Sequence, residues 1–119
     1  MSTLKVNTLE EATAGGATYF TAKAWVNFNG TGTVAIRADG NVSSITDSST
    51  GRYVVNFTNS FSNSSYCPTL GFGTNLNTNV HSVIGNAAYD PTMTSSSCSY
   101  AVIASSYYDG DFCMLTAVE

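Results

Sequence analysis

Charge is scarce in this chain. Four Lys/Arg and eight Asp/Glu make up 10% of its 119 residues, with a net charge of −4, whereas soluble domains usually carry roughly 25% charged residues. So few cations argue against nucleic acid as a partner, because binding it requires a basic patch that neutralises phosphates. Long apolar runs are missing too. No stretch approaches the length of about 18 apolar residues that a membrane-spanning helix needs, so no insertion into a bilayer is expected. The opening MSTLKVNTLEE lacks an apolar core of the secretory kind, and no signal peptide is expected.

Catalytic and metal-binding material is equally thin. His81 is the single histidine, set between apolar residues in NVHSVIG, and it reads as a turn or surface residue rather than a general base. No G-x-S-x-G elbow occurs, no C-x-x-C, and no glycine-rich phosphate loop followed by a helix. The three cysteines, Cys67, Cys98 and Cys113, are odd in number and irregular in spacing. Free thiols in a chain folded in a reducing cytoplasm are expected, with a Cys98–Cys113 bridge left open as an alternative after release. A Cys3His zinc site drawn from these cysteines and His81 has the wrong spacings. Asp109 and Asp111 are the best paired carboxylates, but Gly110 between them makes a turn the simpler account. No enzyme activity, cofactor or metal is expected. The sequons at Asn29, Asn41, Asn56 and Asn63 read as chance products of an Asn/Ser/Thr-rich composition.

What the chain does contain is Gly, Ser, Thr and Asn in abundance, which favour turns and disfavour helix interiors. Its apolar residues recur with a period near two. In AWVNFN, Ala24, Val26 and Phe28 share one face and Trp25, Asn27 and Asn29 the other. Val34 and Ile36 alternate with Ala35 and Arg37, and Asp39-Gly40-Asn41 signals a turn. Val42 and Ile45 are three apart, so an irregular or bulged strand is expected there. Residues 47–51 read as a hairpin loop with Gly51 in the left-handed position. In RYVVNF, Tyr53, Val55 and Phe57 point inward. Pro68 places the strand at 66–73 on an edge or a bulge. Short strands follow near 80–84 and at 99–105. The last run, 111–119, is apolar on both faces, as a central strand under a second layer or a strand at a subunit interface would be. Length favours one domain. The expected fold is all-β, a compact antiparallel sandwich or partly closed barrel over residues 24–119. Residues 1–23, interrupted by Gly15-Gly16, read as an arm that anchors on a neighbour, or as a frayed terminus with one edge strand.

Residues 23–58 carry a resemblance. Lys23 to Phe28, the Gly30–Gly32 turn, Ile36-Arg37, Asn41 to Asp47, Gly51 and Tyr53 to Thr58 closely resemble a structural module of tailed-bacteriophage tail-fibre and related virion proteins, especially those of marine and cyanobacterial phages. The start STLKVNTL resembles the beginning of many such proteins. The resemblance covers roughly half the chain and stops between Pro68 and Ser97. It implies a virion structural protein without catalysis, assembled in the bacterial cytoplasm, commonly as a homotrimer in contact with other virion proteins. With so little length for a fibre shaft, a compact knob, tip or capsid-decorating protein is implied. The alternative is a receptor- or glycan-binding tip that recognises the host surface. The residues expected at oligomer contacts are Leu4, Val6, Trp25 and Leu115. Those expected for surface recognition are Tyr66, Tyr89, Tyr107 and Tyr108, since tyrosine stacks and hydrogen-bonds at modest entropic cost; the alternative is that they are half-buried sheet residues.

Overall fold

The computed structural model describes residues 2–8, 21–73, 81–84, 92–103 and 106–119, of which 81–84 are described by their backbone. Its strands are β1 (Ala22–Asn29), β2 (Ala35–Gly40), β3 (Val42–Ser49), β4 (Arg52–Phe57), β5 (Cys67–Gly73), β6 (His81–Ile84), β7 (Ser97–Ile103) and β8 (Phe112–Val118). They form two four-stranded antiparallel sheets, ordered β2-β1-β8-β5 and β3-β4-β7-β6. The protein is all-β, with two sheets packed over one core; no ladder between the described strands joins them into a barrel.

Alternation sets the inward faces. Ala24, Val26 and Phe28 of β1 are buried, as are Tyr53, Val55 and Phe57 of β4. Val34, just before β2, and Ile36 on it are only partly buried, because β2 is an edge strand among the described residues. Phe28 fills the centre of the core edge-on to two rings from the other sheet, Tyr53 at 5.2 Å and Tyr100 at 5.6 Å. A second aromatic group, Phe57, Phe61 and Tyr66, closes one end, with Phe61 and Tyr66 stacked at 4.5 Å. Edge-to-face and stacked pairs each add about 0.5–1.5 kcal/mol to the burial of their surfaces.

Turn chemistry places the strands. Asn41, at φ 59°, turns the chain from β2 in one sheet to β3 in the other. Asparagine tolerates this left-handed backbone. Its side chain accepts from Asn59 N at 2.7 Å and donates to Asn59 O at 3.0 Å, which ties this corner to the loop after β4. The expected irregularity is present: the register of β3 against β4 shifts between Val42 and Ser44. The β3–β4 loop is tighter than residues 47–51, since Asp47, Ser48 and Ser49 extend the strand and only Thr50 and Gly51 turn. Pro68 lies on β5, an edge strand, where its missing N–H leaves no central ladder incomplete.

β8 is the central strand that its two apolar faces suggested, between β1 and β5. The register decides which face is core. Phe28 pairs with Cys113, Val26 with Leu115 and Ala24 with Ala117, so these three β8 residues point inward with their partners. Leu115 is therefore in the core, 1% exposed, and the expectation of an oligomer contact there is corrected. The space between the sheets is already occupied by Phe28, Tyr53 and Tyr100, and small or medium residues fit against them. Phe112 and Met114 are left outside.

Candidate functional site

The two outward faces differ in kind. On β3 and β4, Asn56 Nδ2 donates to Ser44 Oγ at 3.1 Å and Thr46 Oγ1 at 2.9 Å, a polar surface satisfied within itself. Beside it the Arg52 guanidinium covers the Tyr107 ring at 3.8 Å. The outward face of β2-β1-β8-β5 is instead apolar along its centre. Trp25 and Phe112 are each 43% exposed and Met114 is 37% exposed. Trp25 pairs with Thr116 and Asn27 with Met114, so the indole and the thioether are diagonal neighbours.

Glycine keeps this face low at both flanks. A Cβ at Gly40 would collide with the Trp25 indole, which lies across β2 at that point. On the far side Gly71 pairs with Met114 and Gly73 with Phe112. Arg37 of β2 reaches over β1, places its guanidinium 4.3 Å from the centre of the Phe112 ring, and donates to Asn27 Oδ1 at 3.5 Å. The face is thus a ridge of Trp25, Met114 and Phe112 between shelves of small residues. Such a ridge offers stacking and apolar burial.

The other candidates have structural roles. Asp109 Oδ1 accepts from Gly51 N at 2.7 Å and Tyr53 OH at 3.0 Å, and Tyr53 OH also lies 2.9 Å from Gly30 O. The carboxylate thereby joins the β3–β4 turn, the β1–β2 loop and the β7–β8 connection. Burial first, then the neighbouring Asp109, holds the Tyr53 phenol well above its usual range. His81 pairs through its backbone with Ile103. No group of three His, Cys, Asp or Glu is placed to hold a metal among the described residues. At one end a solvent-open cleft of about 470 Å³ is lined by Lys23, Asn41, Thr58, Asn59, Ser60 and Phe61. Next to it Ser62 donates from its backbone and hydroxyl to Glu119, and Lys23 Nζ lies 3.7 Å from the same carboxylate. Those Ser62 bonds hold the Glu119 carboxyl below its ordinary value.

The tyrosines do not form one recognition surface. Tyr66 is buried, 4% exposed, and donates to Ser97 O at 2.8 Å. Its expected surface role is corrected, because its ring completes the Phe57–Phe61 group. Tyr107 and Tyr108 are half-buried, Tyr107 under Arg52 and Tyr108 bonded through its backbone N–H to Val102 O. Tyr89 lies outside the described residues. Of the expected contact residues, Leu4, Val6 and Trp25 are exposed. Phe112, Met114 and Arg37 belong to the same surface as Trp25 and were missed. Their signal was the second apolar face of 111–119, which hydrophobicity alone could not separate from the core face.

All three thiols are free. Cys67 is exposed on β5, and Cys98 and Cys113 are buried in opposite sheets. Burial pushes the Cys98 thiol up to about 11 and the Cys113 thiol up to about 12. Raising a thiol from 9.0 to about 11 leaves roughly a hundredfold less thiolate at neutral pH. Ellman's reagent should therefore titrate one thiol per native chain quickly and the other two only on unfolding. Three fast thiols would contradict the buried placement.

Comparison of the chain with family models, with curated proteins and with solved structures found no match.

Proposed function

We propose that this chain is a virion structural protein of a tailed bacteriophage, a small knob-like tail or capsid-decorating component without catalysis. It joins copies of itself, as a homotrimer, and other virion proteins. The observation that carries the reading is the apolar ridge of Trp25, Met114 and Phe112 on the outside of a central sheet. A solitary small domain gains nothing from exposing such residues, whereas an assembling one removes them from water. The residues that resemble the phage module, Lys23 to Thr58, form β1 to β4, half of each sheet. Peptides of this chain should appear in mass spectra of density-purified virions from infected cells. Finding it only in the soluble lysate would remove the virion role.

Assembly has its own test. Trp25→Ala should weaken self-association about tenfold or more in sedimentation equilibrium, because a large half-exposed ring is lost from the contact. The thermal midpoint of the monomer should move little. A stable, intact oligomer of this variant would remove Trp25 from the interface.

A second reading is favoured by the same surface. A flat indole beside a ring-stacked guanidinium and the Asn27 amide offers the apolar platform and polar edge that suit a sugar ring. Here the protein is a tip that binds host-surface glycan. A glycan array separates the two, since binding without self-association supports the tip and self-association without glycan binding supports the architectural role.

A further inference from the structure

Five large hydrophobic residues are exposed among the described residues: Leu4, Val6, Trp25, Phe112 and Met114. They fall on two features only. Three make the ridge on the outer face of β2-β1-β8-β5. The other two lie in residues 2–8, where Leu4 is 82% and Val6 58% exposed. We infer that residues 2–8 of one chain dock on the Trp25–Met114–Phe112 ridge of a second copy. This rests on the reading of the chain as an assembling structural module, and it names the two surfaces that meet.

The match is one of spacing and of area. Leu4 and Val6 alternate with Lys5 and Asn7, so an extended segment presents one apolar edge and one polar edge. The apolar pair would stand about 6.6–6.8 Å apart, the same two-residue repeat that separates Met114 from Phe112 along β8. The sheet face alone is small for a stable contact. Four strands about 4.8 Å apart and seven residues of about 3.3 Å give a footprint of roughly 440 Å². Two such faces stacked together bury about 900 Å², short of the roughly 1,200 Å² of stable interfaces. Face-to-face stacking is therefore the weaker use of the ridge, and an arm from a second copy, exchanged between copies, is its occupant instead. Thirteen residues separate Thr8 from Ala22, a tether of at most about 50 Å, which allows a neighbour to be reached. Within the chain Leu4 remains 82% exposed, so the segment is not seated on its own ridge. An arm-to-face contact uses different surfaces on the two partners, and repeating it gives a ring where the rotation between copies closes and a filament where it does not.

Disulfide trapping on the full-length chain tests this, with Cys67→Ser removing the exposed native thiol. Two separately purified proteins, one carrying Val6→Cys and the other Met114→Cys, are mixed and oxidised. The expected result is a cross-linked heterodimer in high yield. Leu4→Ser in the first protein should reduce its rate of formation roughly tenfold or more, since a buried leucine is lost. Circular dichroism confirms that each variant keeps its β spectrum. If the mixed pair gives no cross-link while a third protein carrying both Val6→Cys and Met114→Cys cross-links within one chain, the segment lies in cis and the inference is overturned. An oligomer that persists by native mass without any cross-link would overturn the arm contact while leaving assembly standing. A monomer at high concentration would overturn both.

Discussion

Alanine at Gly51 is expected to destabilise the domain by about 2–5 kcal/mol, and alanine at Gly32 by only about 1–2 kcal/mol. Both glycines have positive φ, +65° and +61°, so both substitutions incur the steric cost of a left-handed backbone. Their surroundings differ. A Cβ at Gly32 meets nothing within 4 Å, whereas one at Gly51 would lie 2.5 Å from the backbone N and O of Tyr108 and 2.8 Å from Val102 O. Those are backbone atoms, and they cannot swing aside as a side chain would. They are also held in place: Gly51 N donates to Asp109, Val102 N donates to Gly51 O at 2.8 Å, and Tyr108 N donates to Val102 O at 3.0 Å. Relieving the clash requires that the β3–β4 turn leave the β7–β8 connection. Urea midpoints of the two variants measure the difference directly. Equal losses at the two glycines would mean that the turn is not packed as described.

Stability should also fall steeply in alkali. Cys98 and Cys113 titrate near 11 and 12 when folded, against 9.0 for an ordinary thiol. The folded protein therefore keeps protons that the unfolded chain releases above about pH 9. The stabilisation is complete below that pH and is lost as pH rises through 11 and 12. With 1.36 kcal/mol for each unit, full titration removes about 3 kcal/mol through Cys98 and about 4 kcal/mol through Cys113. The Tyr53 and Tyr66 phenols, raised mainly by burial, act in the same direction above their own usual value. A series of urea midpoints from pH 8 to pH 11.5 should be flat at first and then decline. Cys113→Ala, although less stable at neutral pH, should show a shallower decline. A midpoint unchanged to pH 11.5 would contradict the burial of these groups.

Much of the fold was legible because its local rules agree. The alternation in residues 24–29 and 52–57 predicted the buried sides of β1 and β4, since side chains on a strand change face at every residue. Gly51, Asn41 and Pro68 announced a left-handed turn, a second turn, and an edge strand or bulge through backbone sterics that act within a few residues. The contact site was legible only in part. Trp25 could be assigned to the outer face because its neighbours Val26 and Ala24 are plainly core residues. Leu115 and Tyr66 were misplaced for a common reason. Hydrophobicity on both sides of β8, or a tyrosine where a polar loop enters a strand, does not say which neighbours the chain will bring to it.

By itself, then, the amino-acid sequence determined the strand character, the turns at Asn41 and Gly51, and the confinement of Pro68 to an edge or a bulge. These depend on backbone preference, side-chain period and residue type, all local properties. Only the tertiary structure decided that Cys113, Leu115 and Ala117 face the core while Phe112 and Met114 face outward. That choice comes from pairing β8 with β1, a strand more than eighty residues away, and from the volume already taken by Phe28, Tyr53 and Tyr100. The same pairing brought Phe112 onto one surface with Trp25 and with Arg37 of the neighbouring β2.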